Sequence, residues 1–200
     1  MKIMIASDIH GSTKYCRKMM EAYRREQPDR LLLLGDLLYH GPRNGLPEEY
    51  DPKEVIEMLN GIRDHILCVK GNCDTEVDQM VLDFPIMADY CTLYLDQPRR
   101  MIFATHGHHF HKDALPPLQP GDILLHGHTH VPAWERVPMG STGDKDACVW
   151  YMNPGSVSLP KGGSRHGYMM LVSGTDEVDG CTKFSWKELD GTVYNEIMME

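Results

Sequence analysis

Apolar positions follow two rhythms along this chain. In the first half, short unbroken apolar runs alternate with stretches at helical spacing. Lys2-Ile-Met-Ile-Ala-Ser-Asp-Ile-His10 opens as a strand. Ser12 then caps a helix whose stripe of Cys16, Met19, Met20 and Tyr23 forms one helical face. Leu31-Leu-Leu-Leu34 reads as a strand buried on both faces, as in a parallel sheet. Asp51-Pro52-Lys53-Glu54 combines an N-cap, a first-turn proline and a capping-box glutamate ahead of Val55, Ile56 and Leu59. A third strand is expected over Ile66–Val69, and Thr75 caps a shorter helix running through Leu82. The order βαβαβ predicts a layered α/β fold.

The second half alternates at the period of a strand. Tyr90–Leu95 and Arg100–Thr105, joined by Asp96-Gln-Pro-Arg, predict an antiparallel hairpin. Further strands are expected at Asp122–Leu125, Ala133–Val137, Ala147–Met152, Tyr168–Val172 and Lys183–Leu189. Asp190-Gly191 is a two-residue hairpin turn leading to Thr192–Ile197. Met139-Gly-Ser-Thr-Gly-Asp-Lys-Asp146 reads as an exposed, mobile hairpin tip, and Pro160–His166 as a loop near the candidate site. With no internal repeat and no linker, the chain reads as one domain over residues 1–200. The expected architecture is α/β: a four-layer α/β/β/α sandwich of two packed mixed β-sheets with flanking helices.

Composition narrows the partners. A net charge of −9 argues against a non-specific nucleic-acid binder, yet leaves room for a phosphate substrate where dications invert the local sign. No stretch approaches the ~18–20 apolar residues of a membrane span. Met1–Ala6 is too short for the apolar core of a signal peptide. The six cysteines lack CxxC spacing, which excludes a zinc ribbon or a thioredoxin motif and points to reduced thiols in a cytoplasmic protein.

The chemistry sits where the apolar runs end. Asp8, His10, Asp36, Asn72, His106, His128 and His130 each close a strand-like run. Carboxylates, an amide oxygen and neutral imidazoles hold hard-to-borderline divalent metals. Strands delivering such groups from one sheet edge would gather them into a single pocket holding two metals.

The order Asp-x-His, Gly-Asp, Gly-Asn-x-Asp, His-Gly-His, Gly-His-Thr-His resembles the calcineurin-like metallophosphoesterase superfamily. Within it, the chain is similar to the small bacterial YfcE-type phosphodiesterases. The match extends to His40-Gly-Pro-Arg-Asn44, Glu76-Val-Asp-Gln-Met80 and Asn153-Pro-Gly-Ser-Val-Ser158, and covers roughly Met1 to Ser173. The resemblance implies one metal on Asp8, His10, Asp36 and His130, and a second on Asp36, Asn72, His106 and His128, with Asp36 as bridge. Manganese is the expected metal, with iron or zinc as alternatives. Two dications about 3.5–4 Å apart would make a bridging hydroxide that attacks phosphorus in line.

Arg43, Asn44 and His108 are candidates for holding the substrate's non-bridging oxygens or for supporting the residues that do, Arg43 being equally readable as a solvated surface arginine. The catalytic set expected from the resemblance is Asp36, Asn72, Cys73 and Asp74. Cys73 departs from the family, which places a histidine there to aid the leaving oxygen. A thiol with pKa ~8.5 carries no positive charge and is a poorer proton donor. Cys73 is either a small space-filling residue or a group with its own role.

The expected function is hydrolysis of small phosphodiesters. The alternatives are a phosphomonoesterase or nuclease of the same fold, or a catalytically weak interaction scaffold like the retromer subunit of this fold. A homo-oligomer is the expected assembly.

Overall fold

The computed structural model describes residues 1–140, 147–175, 178 and 181–200. Among the described residues eleven strands form two sheets. β1 (Lys2–Ala6), β2 (Arg30–Leu33) and β3 (Ile66–Cys68) run parallel, and β9 (Gly167–Ser173), β10 (Thr182–Glu188) and β11 (Val193–Met199) continue antiparallel from β1, in the order β11-β10-β9-β1-β2-β3. The second sheet has the order β4-β5-β6-β8-β7, from β4 (Tyr90–Leu95), β5 (Arg100–Thr105), β6 (Ile123–Leu125), β7 (Ala133–Pro138) and β8 (Cys148–Asn153). The predicted strands are all present to within a residue or two. The predicted tip at Met139–Asp146 lies outside the described residues from position 141 onward.

Side-chain parity divides the interior. Ile3, Ile5, Leu32, Leu34, Met169, Leu171, Phe184 and Trp186 of the first sheet face Ile102, Ala104, Ile123, Leu125 and Met152 of the second. Their neighbours Met4, Ala6, Leu31, Leu33, Tyr168 and Met170 point outward and are covered by α1 (Thr13–Glu26) and α2 (Pro52–Asn60). The Leu31–Leu34 run is thus buried on both faces because each face belongs to a different core. Both sheets are mixed, and helices flank the larger one. The outer face of the smaller sheet, with Phe103, Leu124 and Tyr151, is covered by Phe110, Leu115 and Leu118. That segment forms no helix: it carries Pro116, Pro117 and Pro120, which remove backbone donors.

Local signals act as read, with two corrections. Ser12 caps α1 by accepting the Tyr15 N–H, and the buried stripe includes Cys16, Met19 and Met20. Asp51 caps α2, accepting from the Lys53 and Glu54 amides. Glu54 does not close the capping box; its carboxylate pairs with Arg17 at 2.8 Å. The helix after Thr75 is α3 (Glu76–Gln79), ending before Leu82. Leu82, Phe84 and Ile86 bury at every second position, a period no helix can match. Thr75 and Asp78 cap α3 reciprocally. Among the described residues no helix is long and apolar enough to cross a membrane.

Candidate metal centre

The C-terminal ends of β1, β2 and β3 in one sheet meet those of β5 and β6 in the other. The loops leaving these five strands carry all seven ligand-type residues. Binding at the carboxyl edge of parallel strands is the general habit of α/β sheets. Two glycines let the ends close. A Cβ on Gly71 would lie 2.1 Å from Asp36 Oδ1, and one on Gly127 would lie 1.9 Å from Ser7 Oγ. The sheets are also tied directly, His106 Nδ1 donating to the Leu34 carbonyl at 2.7 Å and the His128 amide to Asp8 Oδ2 at 3.1 Å.

Five of these residues have a left-handed backbone: Asp8 (φ 59°), His10 (50°), Asp36 (56°), His128 (65°) and His130 (61°). Such a conformation costs a non-glycine residue about 1–2 kcal/mol. Its concentration on one set of residues marks a site rather than a folding need.

The ligand atoms form two groups. Asp8 Oδ1 lies 3.6 Å from His10 Nε2 and 3.3 Å from His130 Nε2, and the two imidazole nitrogens are 3.2 Å apart. His106 Nε2 lies 3.4 Å from Asp36 Oδ2, 3.1 Å from Asn72 Oδ1 and 3.2 Å from His128 Nδ1. Asp36 Oδ2 also lies 3.7 Å from His10 Nε2, so one carboxylate oxygen faces both groups. Two atoms held ~2.1 Å from one ion at roughly 90–110° stand about 3.0–3.4 Å apart, and most of these spacings fall there.

The tautomers point the same way. His10, His106 and His130 each present Nδ1 to a backbone carbonyl (Tyr39, Leu34 and Leu159), which makes Nε2 the lone-pair nitrogen of the neutral ring. Those lone pairs face each other, Asn72 Oδ1 and two carboxylates. Asp8 Oδ1 is buried with no hydrogen-bond partner. With the rings neutral this is a concentration of acceptors, which fits divalent cations; without ions the same carboxylates favour protons on the rings. Burial would raise both aspartates, but His10 and His130 hold Asp8 well below the usual carboxylate range, and His106 holds Asp36 below it. Burial opposes protonation of His106 as well, yet the two carboxylates push it up to about 9.

The remaining predicted residues divide. Asp74 does not turn toward Cys73. Its Oδ2 accepts the Asp36 and Gly71 amides and its Oδ1 the Leu37 amide, at 2.7–2.8 Å, pinning the loops of Asp36 and Asn72 together. Burial, with Asp36 nearby, raises it despite those three donors. Cys73 is buried, donates its amide to Asp36 Oδ1 at 2.8 Å, and has a thiol pushed up to about 12 by burial and by Asp36. Arg43, Asn44, Cys73 and Lys161 line a pocket of about 390 Å³ over Asp36, Asn72, His128 and His130. The Asn44 amide nitrogen is taken by the His40 carbonyl. His108 is outside that lining; its ring lies tilted by 59° to that of His106 with centroids 5.4 Å apart, and burial lowers it to about 4.

Sequence reasoning missed the supports. Ser156 and Ser158 hydroxyls both donate to the Asp8 carbonyl, at 2.8 and 3.0 Å. Asn153 Nδ2 reaches the Gly127 carbonyl and Thr129 Oγ1, bracing the loop of His128. Lys161 is tied through its amide to the His130 carbonyl. The segment Asn153–Ser158 was visible as a motif, but its use depends on contacts about 150 residues away in sequence. A larger groove of about 640 Å³ lies between α1 and the β10–β11 turn, and none of the ligand-type residues lines it.

This is the architecture and ligand set of a metallophosphoesterase. A family model described as the calcineurin-like phosphoesterase superfamily domain matches residues 1–176, and the chain belongs to that family. It is 46% identical to phosphodiesterase YfcE of Escherichia coli K12 over 171 residues, covering 86% of this chain and 87% of that one. The solved structure of YfcE, a phosphoesterase from E. coli, superposes with a TM-score of 0.85 at 40% identity, covering 100% of both chains. Vps29 from Chaetomium thermophilum shares the fold at 14% identity, with a TM-score of 0.58 over 99% of this chain and 97% of that one.

Proposed function

We propose that this chain is a phosphodiesterase that works with two divalent metals, manganese first among them, in the cytoplasm. The observation that carries this reading is the pair of carboxylate–imidazole groups sharing Asp36 Oδ2. Asp8, His10, Asp36 and His130 would hold one ion, and Asp36, Asn72, His106 and His128 the other. When bound, the ions supply a water acidic enough to attack phosphorus as hydroxide and two charges for the phosphoryl oxygens.

The chain's own groups do the positioning. Arg43 and Lys161 bring the free cations of the pocket wall to the phosphate. Asp74 fixes the distance between Asp36 and Asn72 through backbone amides rather than by proton transfer. Cys73 leaves the departing oxygen without an imidazolium, which favours diesters whose leaving group departs as a stable anion. The small phosphodiester class rests on the similarity to YfcE, and all six cysteines are free, as suits a reducing compartment. Homo-oligomerisation belongs to the same reading: β4 is an edge strand with Tyr90 and Tyr94 exposed.

The test is metal content after purification, followed by hydrolysis of bis(p-nitrophenyl) phosphate and p-nitrophenyl phosphate in manganese. Two metals per chain with faster diester cleavage is expected. Monoester preference would move the reading to a phosphomonoesterase, and bound metal without hydrolysis to an interaction scaffold.

A further inference from the structure

Cys73 has two sides. On one it lines the metal pocket beside Asp36 and Asn72; on the other it ends a separate groove of about 390 Å³. The groove is walled by Tyr39 after β2, Tyr50 and Ile56 around the start of α2, and Val77 and Val81 at α3. Its wall is mostly apolar carbon left in contact with water: Tyr39 is 43% exposed, Val77 68% and Val81 44%. None of α3 is buried, so its valine does not serve the core. Exposed apolar side chains lining a concave surface next to a polar site are the mark of a ligand subsite rather than of packing.

The groove is also rigidly referenced to the metal residues. The Tyr39 carbonyl accepts from His10 Nδ1 at 2.7 Å, so the residue forming one wall also orients a ligand ring. Tyr39 and Tyr50 bracket the ring of His40 edge-on, at 4.8 and 5.3 Å, which holds both phenols in place. The one residue common to the two cavities is Cys73. Cys73 is thus the wall between the two cavities, and a side chain as small as cysteine keeps that wall thin.

We propose that this groove is the leaving-group subsite, and that it takes an apolar, aromatic alcohol portion of a diester whose phosphate sits over Asp36 and Asn72. The proposal rests on the phosphodiesterase reading and names the substrate class it selects. Water adds its oxygen to phosphorus, keeping one proton on that oxygen and releasing the other to solvent, while the P–O bond to the aryl group breaks and its electron pair leaves with a phenolate. The phenolate takes its proton from solvent, so the thiol at position 73 need not donate one.

The test uses the manganese-loaded protein and two non-hydrolysable anions, phenylphosphonate and methylphosphonate, titrated by calorimetry into wild type and Val77→Asp. The phenyl compound is expected to bind wild type about tenfold more tightly, and the preference to fall below about twofold in the variant. Methyl p-nitrophenyl phosphate should lose correspondingly more kcat/KM in Val77→Asp than methyl trifluoroethyl phosphate does. Equal affinity for both phosphonates in wild type, or no binding of either, overturns the proposal. An aryl preference that survives while no diester is cleaved overturns the phosphodiesterase reading and with it the leaving-group role. A chain that is dimeric and becomes monomeric on Val77→Asp, with no aryl preference, assigns the groove to a second copy instead.

Discussion

The Nε2 atoms of His10 and His130 face each other across 3.2 Å, while the Nδ1 of each ring is committed to a backbone carbonyl. Two lone pairs at that separation, with Asp8 Oδ1 beside them, repel unless a cation lies among them. The folded chain therefore holds a pocket that favours a cation, protons on the rings in the metal-free chain and a metal in their place.

Metal loading should accordingly stabilise the fold. At about 100 times Kd, one ion adds ~2.7 kcal/mol, and a chain of this size should gain roughly 5–10 °C in Tm. Excess chelator should return the protein to the lower value. Differential scanning calorimetry with and without manganese reads this, and a Tm indifferent to manganese, zinc, iron and chelator would show that the acceptor cluster is not a metal site.

Asp74→Asn tests the clamp between the Asp36 and Asn72 loops. The carboxylate accepts three backbone amides with its two oxygens, and an amide side chain must aim its own donors at one or two of them. The expected loss is about 2–4 kcal/mol in urea unfolding, with metal content falling in parallel. A proton-transfer role alone would instead leave stability and metal content near wild type while turnover dropped.

Cys73→His tests the departure from the family pattern. The new imidazole would project where the thiol meets the pocket, beside His10 and Asp36. Turnover of esters with poor leaving groups should rise, and the monoester-to-diester ratio should change by about fivefold or more, within the range of general acid catalysis. Steady-state kinetics on both substrate types decides it; identical kinetics would make Cys73 a space-filling residue only.

Legibility in the sequence followed the range of the interactions. Strands such as Tyr90–Leu95 and Arg100–Thr105 were readable because parity is local, and the ligands because each ends an apolar run. The length of α3 was misread because Leu82 answers to a distant core rather than to its own helix. Which nitrogen of His10 faces the site depends on the Tyr39 carbonyl, and the setting of Asp8 depends on Ser156 and Ser158. No spacing encodes such contacts. The same holds for Lys161, an ordinary loop lysine until its amide is seen on His130.

Glu26 supplies a pH test far from the metals. Its Oε1 accepts from Tyr168 Oη at 2.7 Å and from Lys187 Nζ at 2.8 Å, joining α1 to β9 and β10. Burial would raise this carboxyl, but the hydrogen bonds from Lys187 and Tyr168 outweigh it and hold Glu26 below its ordinary value. Near pH 4 the unfolded chain therefore binds more protons at this position than the folded one, and stability rises with pH there. The contribution is complete above the unfolded value of ~4.3 and is lost as pH falls through the lower folded value. Glu26→Gln should cost about 1–2 kcal/mol at pH 7, and the difference from wild type should shrink steadily in acid. Urea midpoints for both proteins at pH 7 and at successively lower pH measure this. A gap that stayed constant would mean the glutamate acts by shape and not by charge, whereas one that closes identifies the α1–β10 contact as an ion pair the fold uses.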